Sequence, residues 1–538
     1  MDQSASDSRG LVLTLRVLGI ALVVVACLRI AWVSDDALIT LRTALNITHG
    51  WGPGFNATEA VQAYTHPLWF LAWVTIGVAT NQWILGILAL SIICTGVAVG
   101  LLLWRTSSPA RLILVTGLLL LSNAFVEYAT SGLENPLSYL TVGALMAMTF
   151  GGLAVSGIGR YRQLVIPALA GLLIAAILLT RLDLAVLIAP AVVLLIVDRR
   201  RSLRPVLIAV VAAVVPLAVW FAWSQATYGS LLPNTFLAKR NVDIPASELI
   251  VQGLRYLWVT FEHDPVTMIA MTIGIAAALI AGTRFGRAWA IGALLYISYV
   301  VWVGGDFMAG RFLAVPLYVA VFLIATLPAL VTSRESQPAW IATSVTAVAI
   351  LAIATVATGA QSSALTNPQA ARWEVDQNIN AGVSDERGVY VANGRSLEGL
   401  IDSLSLAFVT PNIVPIGDST GLNRILRDLD KEAKEWPSTP GYIGQPAEVG
   451  VFCGFLGTIG MATGPITHLI DPCALTDRFL AAKPFTAEPF AWKPGHFERQ
   501  VPAGYVEAIQ ANDPTLLEDP REEFLVKQLW SQIRPQQK

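Results

Sequence analysis

Long apolar segments recur through the first two thirds of this 538-residue chain, and they limit what it can fold into. The sequence is 55% hydrophobic and 13% charged, with a mean hydropathy of +0.61. A helix needs about 20 consecutive apolar residues to cross a bilayer, and soluble domains rarely contain several such runs. The chain is therefore predicted to be a polytopic α-helical membrane protein embedded in a lipid bilayer.

Charged residues divide the chain near residue 358. Residues 1–358 contain 20 Lys and Arg against 15 Asp and Glu, whereas residues 359–538 contain 15 against 22. We therefore predict a transmembrane domain over residues 1–358 and a soluble domain over residues 359–538. The acidic balance of the second domain argues against a nucleic-acid partner.

The second domain combines short apolar runs with one charged amphipathic stretch, which predicts a mixed α/β fold. Strands are expected at residues 388–392 and 449–452, and a helix from Asn423 to Glu435. The domain also carries side chains that could stack on a glycan or equally fill its core: Tyr442, Trp492, His496, Phe497 and Tyr505. Carbohydrate binding is one role that this domain could have.

The positions of the arginines predict how the spans are oriented. The first apolar run lacks a small-residue cleavage site and is expected to remain as a signal anchor, followed by a polar loop that extends to His66. Residues 67–79 are too short to cross, and an interfacial position for them on the outer face leaves every Arg-rich loop in the cytoplasm. The predicted spans are 11–33, 83–104, 110–127, 137–156, 163–180, 184–197, 205–223, 265–282, 288–304, 312–331 and 339–358.

This arrangement of about eleven spans gives a multi-pass protein of the plasma membrane. The N-terminus is then cytoplasmic, and the second domain is periplasmic. Cys453 and Cys473 are the two cysteines of that domain. An oxidising compartment favours pairing them, so a disulfide between them is predicted.

Asp35 and Asp36 follow the first apolar segment directly. Two adjacent carboxylates at a membrane exit are energetically costly unless they have a function, although a solvated helix end is the alternative interpretation. Other ionisable residues also fall at predicted outer helix ends or in outer loops. They are Arg42, His66, Glu127, Glu134, Arg181, Asp183, Lys239, Arg240, His263, Asp306 and Arg311. Together these residues predict one outward-facing polar layer, although each could also be a helix cap or part of an ion pair.

Such a layer suits sugar transfer from a lipid phosphate. The leaving phosphate needs cations, for which Arg42, Lys239, Arg240 and Arg311 are available. A carboxylate could accept the proton of the acceptor hydroxyl and offset positive charge at the anomeric carbon. The sequence requires no cofactor, but the acid pair could also bind a divalent cation.

Several motifs are spread over nearly the whole chain. They are Asp35-Asp36-Ala37, residues 46–54 (NITHGWGPG), 59–67 (EAVQAYTHP), 131–134 (SGLE), 180–183 (TRLD), 232–236 (LPNTF), 304–311 (GGDFMAGR) and 495–505 (GHFERQVPAGY). The acid pair and the His-Pro step resemble those of the GT-C glycosyltransferases, a superfamily that uses polyprenyl-phosphate sugars. The combination of motifs is more specific, and it is similar to the terminal β-(1→2)-arabinofuranosyltransferases of mycobacterial-type cell walls.

The resemblance implies decaprenyl-phosphoryl-arabinofuranose as donor and the arabinan ends of arabinogalactan, with lipoarabinomannan a further candidate, as acceptor. A β-linked donor that gives a β-linked product means net retention, so either a double displacement or a same-face mechanism is required. Asp35 and Asp36 are assigned as the essential carboxylates. Residues expected to bind substrate are Arg42, His66, Glu134, Arg181, Asp183, Asn234, Lys239, Arg240, Asp306 and Arg311.

Three other functions remain open at the level of sequence. The same chemistry with another sugar would make the protein a polyprenyl-phosphate mannose-dependent transferase. A lipid-linked sugar flippase would move its substrate without forming a glycosidic bond. A non-catalytic scaffold for wall assembly would not need the acid pair.

Overall fold

The structure is a computed structural model that describes most of residues 1–358 and more than half of residues 359–538. The described residues are 3–151, 159–199, 203–328, 341, 343–346, 348–350, 352–353, 379–380, 382–392, 429–439, 444–486, 488 and 491–534. Tyr442, most of the predicted span 339–358 and the first part of the helix predicted from Asn423 lie outside these residues. Within that helix, residues 429–434 are helical.

Helices dominate the described residues. The first fifteen are α1 Gln3–Arg29, α2 Asp35–Thr48, α3 Pro67–Thr80, α4 Trp83–Leu103, α5 Pro109–Leu121, α6 Asn123–Tyr128, α7 Asn135–Thr149, α8 Gly159–Thr180, α9 Leu184–Arg199, α10 Leu203–Tyr228, α11 Asn234–Arg240, α12 Ala246–His263, α13 Pro265–Ala281, α14 Arg284–Trp302 and α15 Ala314–Thr326. Later helices are α16 Glu386–Ala392, α17 Leu456–Thr463, α18 Arg478–Ala482, α19 Tyr505–Ala511 and α20 Pro520–Ile533.

Four short strands accompany these helices. β1 Ile379–Asn380 pairs antiparallel with β2 Val383–Ser384, and β3 Glu448–Val451 pairs in parallel with β4 Thr467–Ile470. The strand predicted at 449–452 is therefore confirmed. The strand predicted at 388–392 is wrong because α16 occupies that segment. The Asp385 carboxylate accepts the Gly388 backbone N–H at 3.1 Å, and this N-cap contact favours a helix. The apolar run itself is too short for its periodicity to distinguish a helix from a strand.

Four of the described helices are long and apolar enough to cross a membrane, namely Arg9–Arg29 within α1, α4, α10 and α14. A fifth crossing results if α12 and α13, which meet at 110°, are counted as one broken span. The predicted span 110–127 is interrupted, because α5 ends at Leu121 and Ser122 caps α6 by accepting the Phe125 N–H at 3.2 Å. The protein is thus a helical membrane protein, and its total of eleven spans stays a prediction.

The chain forms two compact units. The first unit comprises residues 1–31, 90–217 and 249–388, and the second comprises residues 32–89, 218–248 and 389–538. Two segments that the sequence analysis assigned to the transmembrane domain, 32–89 and 218–248, therefore pack with the C-terminal residues.

Small residues bring helices of the first unit close together. A Cβ atom on Gly292 of α14 would lie 1.9 Å from the Leu187 carbonyl oxygen of α9, and one on Gly274 would lie 2.5 Å from that of Ala320. Close backbone approach of this kind is typical of helix packing in membranes, where apolar side chains gain little by leaving lipid. Helix α15 is buried along almost its entire length.

In the second unit, the segment after the first apolar helix is ordered differently from the predicted polar loop. Ser34 caps α2, its hydroxyl accepting the Ala37 N–H at 3.3 Å, and Asp35 and Asp36 occupy the first helical turn. Acidic residues in that position are favoured by the helix dipole. Pro67 begins α3, where its fixed backbone angle suits the first turn of a helix.

Candidate functional site

Asp35 is held by the backbone of a helix more than 400 residues away in sequence. One carboxylate oxygen accepts the Gly457 N–H at 2.9 Å, and the other accepts the Thr458 N–H at 2.7 Å and the Thr458 hydroxyl at 2.8 Å. The Asp35 side chain is 8% exposed. Burial raises the pKa of the Asp35 carboxyl to about 6 against the opposing hydrogen bonds from Gly457 and Thr458. Asp36, in the same helical turn, lies at an intermediate depth and adds to that rise.

Arg42 is also bound within the protein. Its side chain is fully buried, with one guanidinium nitrogen donating to the Gly460 carbonyl at 2.9 Å and another to the Thr467 carbonyl at 2.8 Å. The guanidinium lies 4.5 Å from the centre of the Phe55 ring. These contacts give Arg42 a structural task, and its predicted contact with phosphate stays a prediction.

His66 and Asn234 have comparable surroundings. His66, the residue before α3, lies with its Nε2 atom 3.0 Å from the hydroxyl of Thr40 in α2. This hydrogen bond joins the start of α3 to the helix that carries the acid pair. The Asn234 amide nitrogen donates to the carbonyls of Ala474 at 2.9 Å and Asp477 at 3.0 Å. Both side chains are buried.

Lys239 and Arg240 form the last turn of α11, and both are exposed. Arg499 fixes the backbone on either side of them, donating to the Ala238 carbonyl at 2.6 Å and to the Asn241 carbonyl at 3.2 Å. Of the predicted cations in the second unit, Lys239 and Arg240 are exposed, whereas Arg42 is buried.

The charges of Asp36 and Lys239 both act on the pKa of His496. Burial and the neighbouring Lys493 lower the pKa of the His496 imidazole to about 4. The Asp36 charge opposes that change, and the Lys239 charge adds to it.

The remaining predicted residues form a buried ionic network in the first unit. Arg181 donates to the Asp183 carboxylate at 3.1 and 2.5 Å and to the Tyr296 hydroxyl at 2.8 Å. Glu134 lies 3.7 Å from both Arg181 and Arg311. Arg311 is in turn 3.9 Å from Asp306.

The charges of this network bear on what it could bind. Three acids against two arginines give the ionised set a net charge of −1, which does not favour an additional phosphate. One Arg181 nitrogen, Nη1, is buried and has no hydrogen-bond partner among the described residues. The aromatic face of Phe312 lies 4.8 Å from the Arg181 guanidinium carbon. Such a set of donors, acceptors and an aromatic face suits a neutral polyol such as a sugar ring.

The structure places the predicted site residues in both units. Asp35, Asp36, Arg42, His66, Asn234, Lys239 and Arg240 lie in the second unit, and Glu134, Arg181, Asp183, Asp306 and Arg311 in the first. Thr458, Lys493 and Arg499 were not predicted from the sequence as site residues. The last two lie in or beside the 495–505 segment, so that motif was the signal that could have drawn attention to them.

A metal site at the acid pair stays a prediction. Both Asp35 oxygens already accept N–H or O–H groups, so this carboxylate is poorly suited to act as a bidentate ligand. Among the described residues, Cys453, Asp471 and Cys473 form one group close enough to share a metal ion. Its two cysteines are instead joined in the predicted disulfide, with their Cα atoms 5.3 Å apart.

Comparison with known proteins confirms the predicted resemblance to terminal β-(1→2)-arabinofuranosyltransferases. The particular relatives are two terminal β-(1→2)-arabinofuranosyltransferases. The one from Corynebacterium glutamicum is 27% identical over 493 residues, 80% of this chain and 66% of that protein. The one from Mycobacterium tuberculosis is 28% identical over 346 residues, 56% of this chain and 53% of that protein. The chain thus spans less than two thirds of the length of either relative.

A crystal structure of ArnT from Cupriavidus metallidurans bound to undecaprenyl phosphate aligns with a TM-score of 0.48 and 13% identity, covering 88% of this chain and 77% of that one. No protein-family model matches the chain.

Proposed function

We propose that the protein is a membrane glycosyltransferase that moves an arabinofuranosyl residue from decaprenyl-phosphoryl-arabinofuranose to the ends of cell-wall arabinan. The product would carry a terminal β-(1→2) linkage. The two relatives support the reaction class and the sugar. The observation that carries the proposal is the acid pair in the first turn of α2, in the same unit as the exposed cations Lys239 and Arg240 in the last turn of α11.

The chemistry of the transfer matches these residues. The bond between the anomeric carbon and the phosphate oxygen breaks, and a new bond forms between that carbon and the acceptor 2-hydroxyl oxygen. The departing phosphate is already acidic, so it needs cations more than a proton, and Lys239 and Arg240 are exposed to supply them. A carboxylate of the acid pair accepts the hydroxyl proton or offsets the positive charge that develops at the anomeric carbon.

Retention of the β configuration requires either two successive inversions or a same-face departure and attack. In a double displacement the carboxylate would bond to the anomeric carbon, and the acceptor oxygen would then displace it. In a same-face route the carboxylate would only stabilise charge. Both routes need one reactive acid near the sugar, and neither requires a cofactor.

We further propose that the ionic network of Glu134, Arg181 and Arg311 recognises hydroxyl groups of donor or acceptor. The catalytic face would be periplasmic, with the N-terminus in the cytoplasm. This orientation follows from the distribution of arginines.

The test is a transfer assay with the 538-residue chain in lipid nanodiscs. Synthetic decaprenyl-phosphoryl-arabinofuranose and an arabinan oligosaccharide are supplied, and the product is examined by mass spectrometry and linkage analysis. We expect one added pentose in terminal β-(1→2) linkage. If transfer occurred only from prenyl-phosphoryl mannose, the donor sugar would be mannose and the proposed arabinofuranose donor would be wrong. If the lipid-linked sugar moved across the membrane of sealed vesicles without any new glycosidic bond, the protein would be a flippase and the proposed transferase activity would be wrong.

A further inference from the structure

Arg499 is a buried arginine of the 495–505 segment, and only 4% of it is exposed. We propose that Arg499 is a positioning residue for donor binding. It holds the end of α11 so that the exposed cations Lys239 and Arg240 can bind the phosphate of the lipid-linked donor. The inference rests on the proposed function, because that phosphate belongs to the proposed donor.

The first support is the set of hydrogen bonds that Arg499 donates. Near the end of α11 it binds the Ala238 carbonyl at 2.6 Å and the Asn241 carbonyl at 3.2 Å. On the C-terminal chain it binds the carbonyls of Lys483 and Phe497, each at 2.8 Å. All three guanidinium nitrogens are used, so Arg499 joins two stretches of main chain and does not itself bind phosphate. The planar set of five N–H donors suits arginine to this task better than lysine.

The second support is the position of these acceptors on α11. The last four carbonyls of a helix have no partner within the helix. Ala238 lies in the last turn of α11, and Asn241 is the residue that follows the helix. Lys239 and Arg240 lie between them in sequence and are exposed. Arg499 therefore fixes the backbone on both sides of the two cations.

The third support is that further bonds hold the same helix to the same C-terminal chain. The Asn241 side chain donates to the Ala482 carbonyl at 2.9 Å. The Asp243 N–H donates to the Phe485 carbonyl at 2.8 Å, and the Phe485 N–H donates to the Asn241 carbonyl at 3.0 Å. At the start of α11, Asn234 binds two carbonyls of that chain. A helix of seven residues is too short to be stable alone, so these contacts determine where α11 lies.

The consequence for binding follows from the length of the two cationic side chains. Lysine and arginine lose rotamer freedom when they bind a phosphate, and a fixed backbone limits what else must be ordered. Loss of Arg499 should therefore weaken phosphate binding, although Arg499 does not touch the phosphate. The C-terminal chain then acts as part of the donor site and not as a separate glycan-binding module.

The experiment measures binding of decaprenyl phosphate to the 538-residue chain in lipid nanodiscs, together with transfer kinetics. Arg499→Lys keeps the charge but loses the planar set of donors. It is compared with the double variant Lys239→Ala/Arg240→Ala and with the triple variant that combines all three changes. Arg521→Lys is the matched control, because Arg521 is an exposed arginine of α20 in the same unit.

Arg499→Lys should raise the Kd for decaprenyl phosphate and the donor KM by about 10-fold, with the acceptor KM unchanged. The triple variant should bind no more weakly than the double variant, because Arg499 acts only through Lys239 and Arg240. A general structural defect would instead lower affinity for both substrates, and its effect would multiply with that of the double variant. Arg521→Lys should behave as wild type.

Asn241→Ala provides a second test if Arg499→Lys does not fold, because it loosens the same end of α11 from Ala482. It should show the same loss of donor binding, again without a further loss in the background of the double variant. Wild-type affinity in a folded Arg499→Lys or in Lys239→Ala/Arg240→Ala would overturn the inference, as would effects that multiply in the triple variant. Absence of arabinose transfer by the wild-type protein would instead overturn the proposed function.

Discussion

The acid pair of the second unit and the ionic network of the first unit both bury carboxylates, but they neutralise them differently. Asp35 is bound by main-chain N–H groups and one hydroxyl. Glu134 and Asp183 are opposed by the guanidinium groups of Arg181 and Arg311. Only proline removes a main-chain N–H donor, whereas any neutral residue removes the charge of an arginine. The comparison teaches that the network should be sensitive to single charge deletions, and the acid pair to changes in backbone position.

Deletion of Arg181 is expected to have the largest effect on stability. Arg181→Met leaves the buried Glu134 and the half-buried Asp183 without their shared cation, and breaking a buried ion pair typically costs about 3–5 kcal/mol in the free energy of unfolding. Arg284 provides a matched control, because its bond to Asp198 is equally short at 2.5 Å but the Arg284 side chain is 67% exposed. Arg284→Met should cost about 0–1 kcal/mol.

Chemical unfolding in detergent, followed by tryptophan fluorescence, measures both variants. Equal losses would show that burial does not distinguish the two ion pairs. The contrast between the units would then lose its basis.

The disulfide is expected to have the next effect, and it acts on the second unit. Replacing both Cys453 and Cys473 by Ser should lower the free energy of unfolding by about 3 kcal/mol, as for a loop of similar length. Transfer should fall as well, because the loop that holds α17 is no longer closed. Cys94→Ser is the control, since Cys94 is a free thiol in α4. If the double variant kept wild-type transfer and stability, the disulfide would not be needed to hold α2 in position.

The smallest effect concerns pH. The pKa of Asp35 is raised in the folded protein to about 6, so the folded form binds the proton more tightly than the unfolded form. Protonation of Asp35 therefore adds to the free energy of unfolding. This contribution is complete below the unfolded pKa of about 4 and is lost as the pH rises through about 6. Asp35→Asn should remove this part of the slope of stability against pH, whereas Thr463→Val should keep it. Thermal midpoints between pH 4 and 7 measure the difference, and parallel curves for Asp35→Asn and wild type would contradict the assignment.

The sequence predicted local features better than contacts across the chain. Apolar runs gave the helical membrane class, and compartment reasoning gave the Cys453–Cys473 pair. An ion pair was one alternative for each residue of the predicted outer layer, and for Arg181 and Asp183 the structure contains it. Helix α2 was not predicted, because the whole segment between the first apolar run and His66 was expected to be a polar loop.

Contacts over long sequence separations could not be predicted in this way. Asp35 and Gly457 are separated by 422 positions, and no periodicity in either segment encodes the other. Arg42 illustrates the same limit. As a charged residue near a membrane exit it was expected to bind phosphate, but its guanidinium binds main-chain carbonyls that only the folded chain brings to it.

The bond between Asp35 and Gly457 also has a consequence for biogenesis. The ribosome makes the acidic residue early and its glycine partner only after most of the helices have been synthesised. During that interval α2 has no anchor, and a sugar carried by a prenyl lipid would meet an incompletely assembled centre. Competence for transfer should therefore arise late in maturation, once the C-terminal segment has folded and its cysteines have paired.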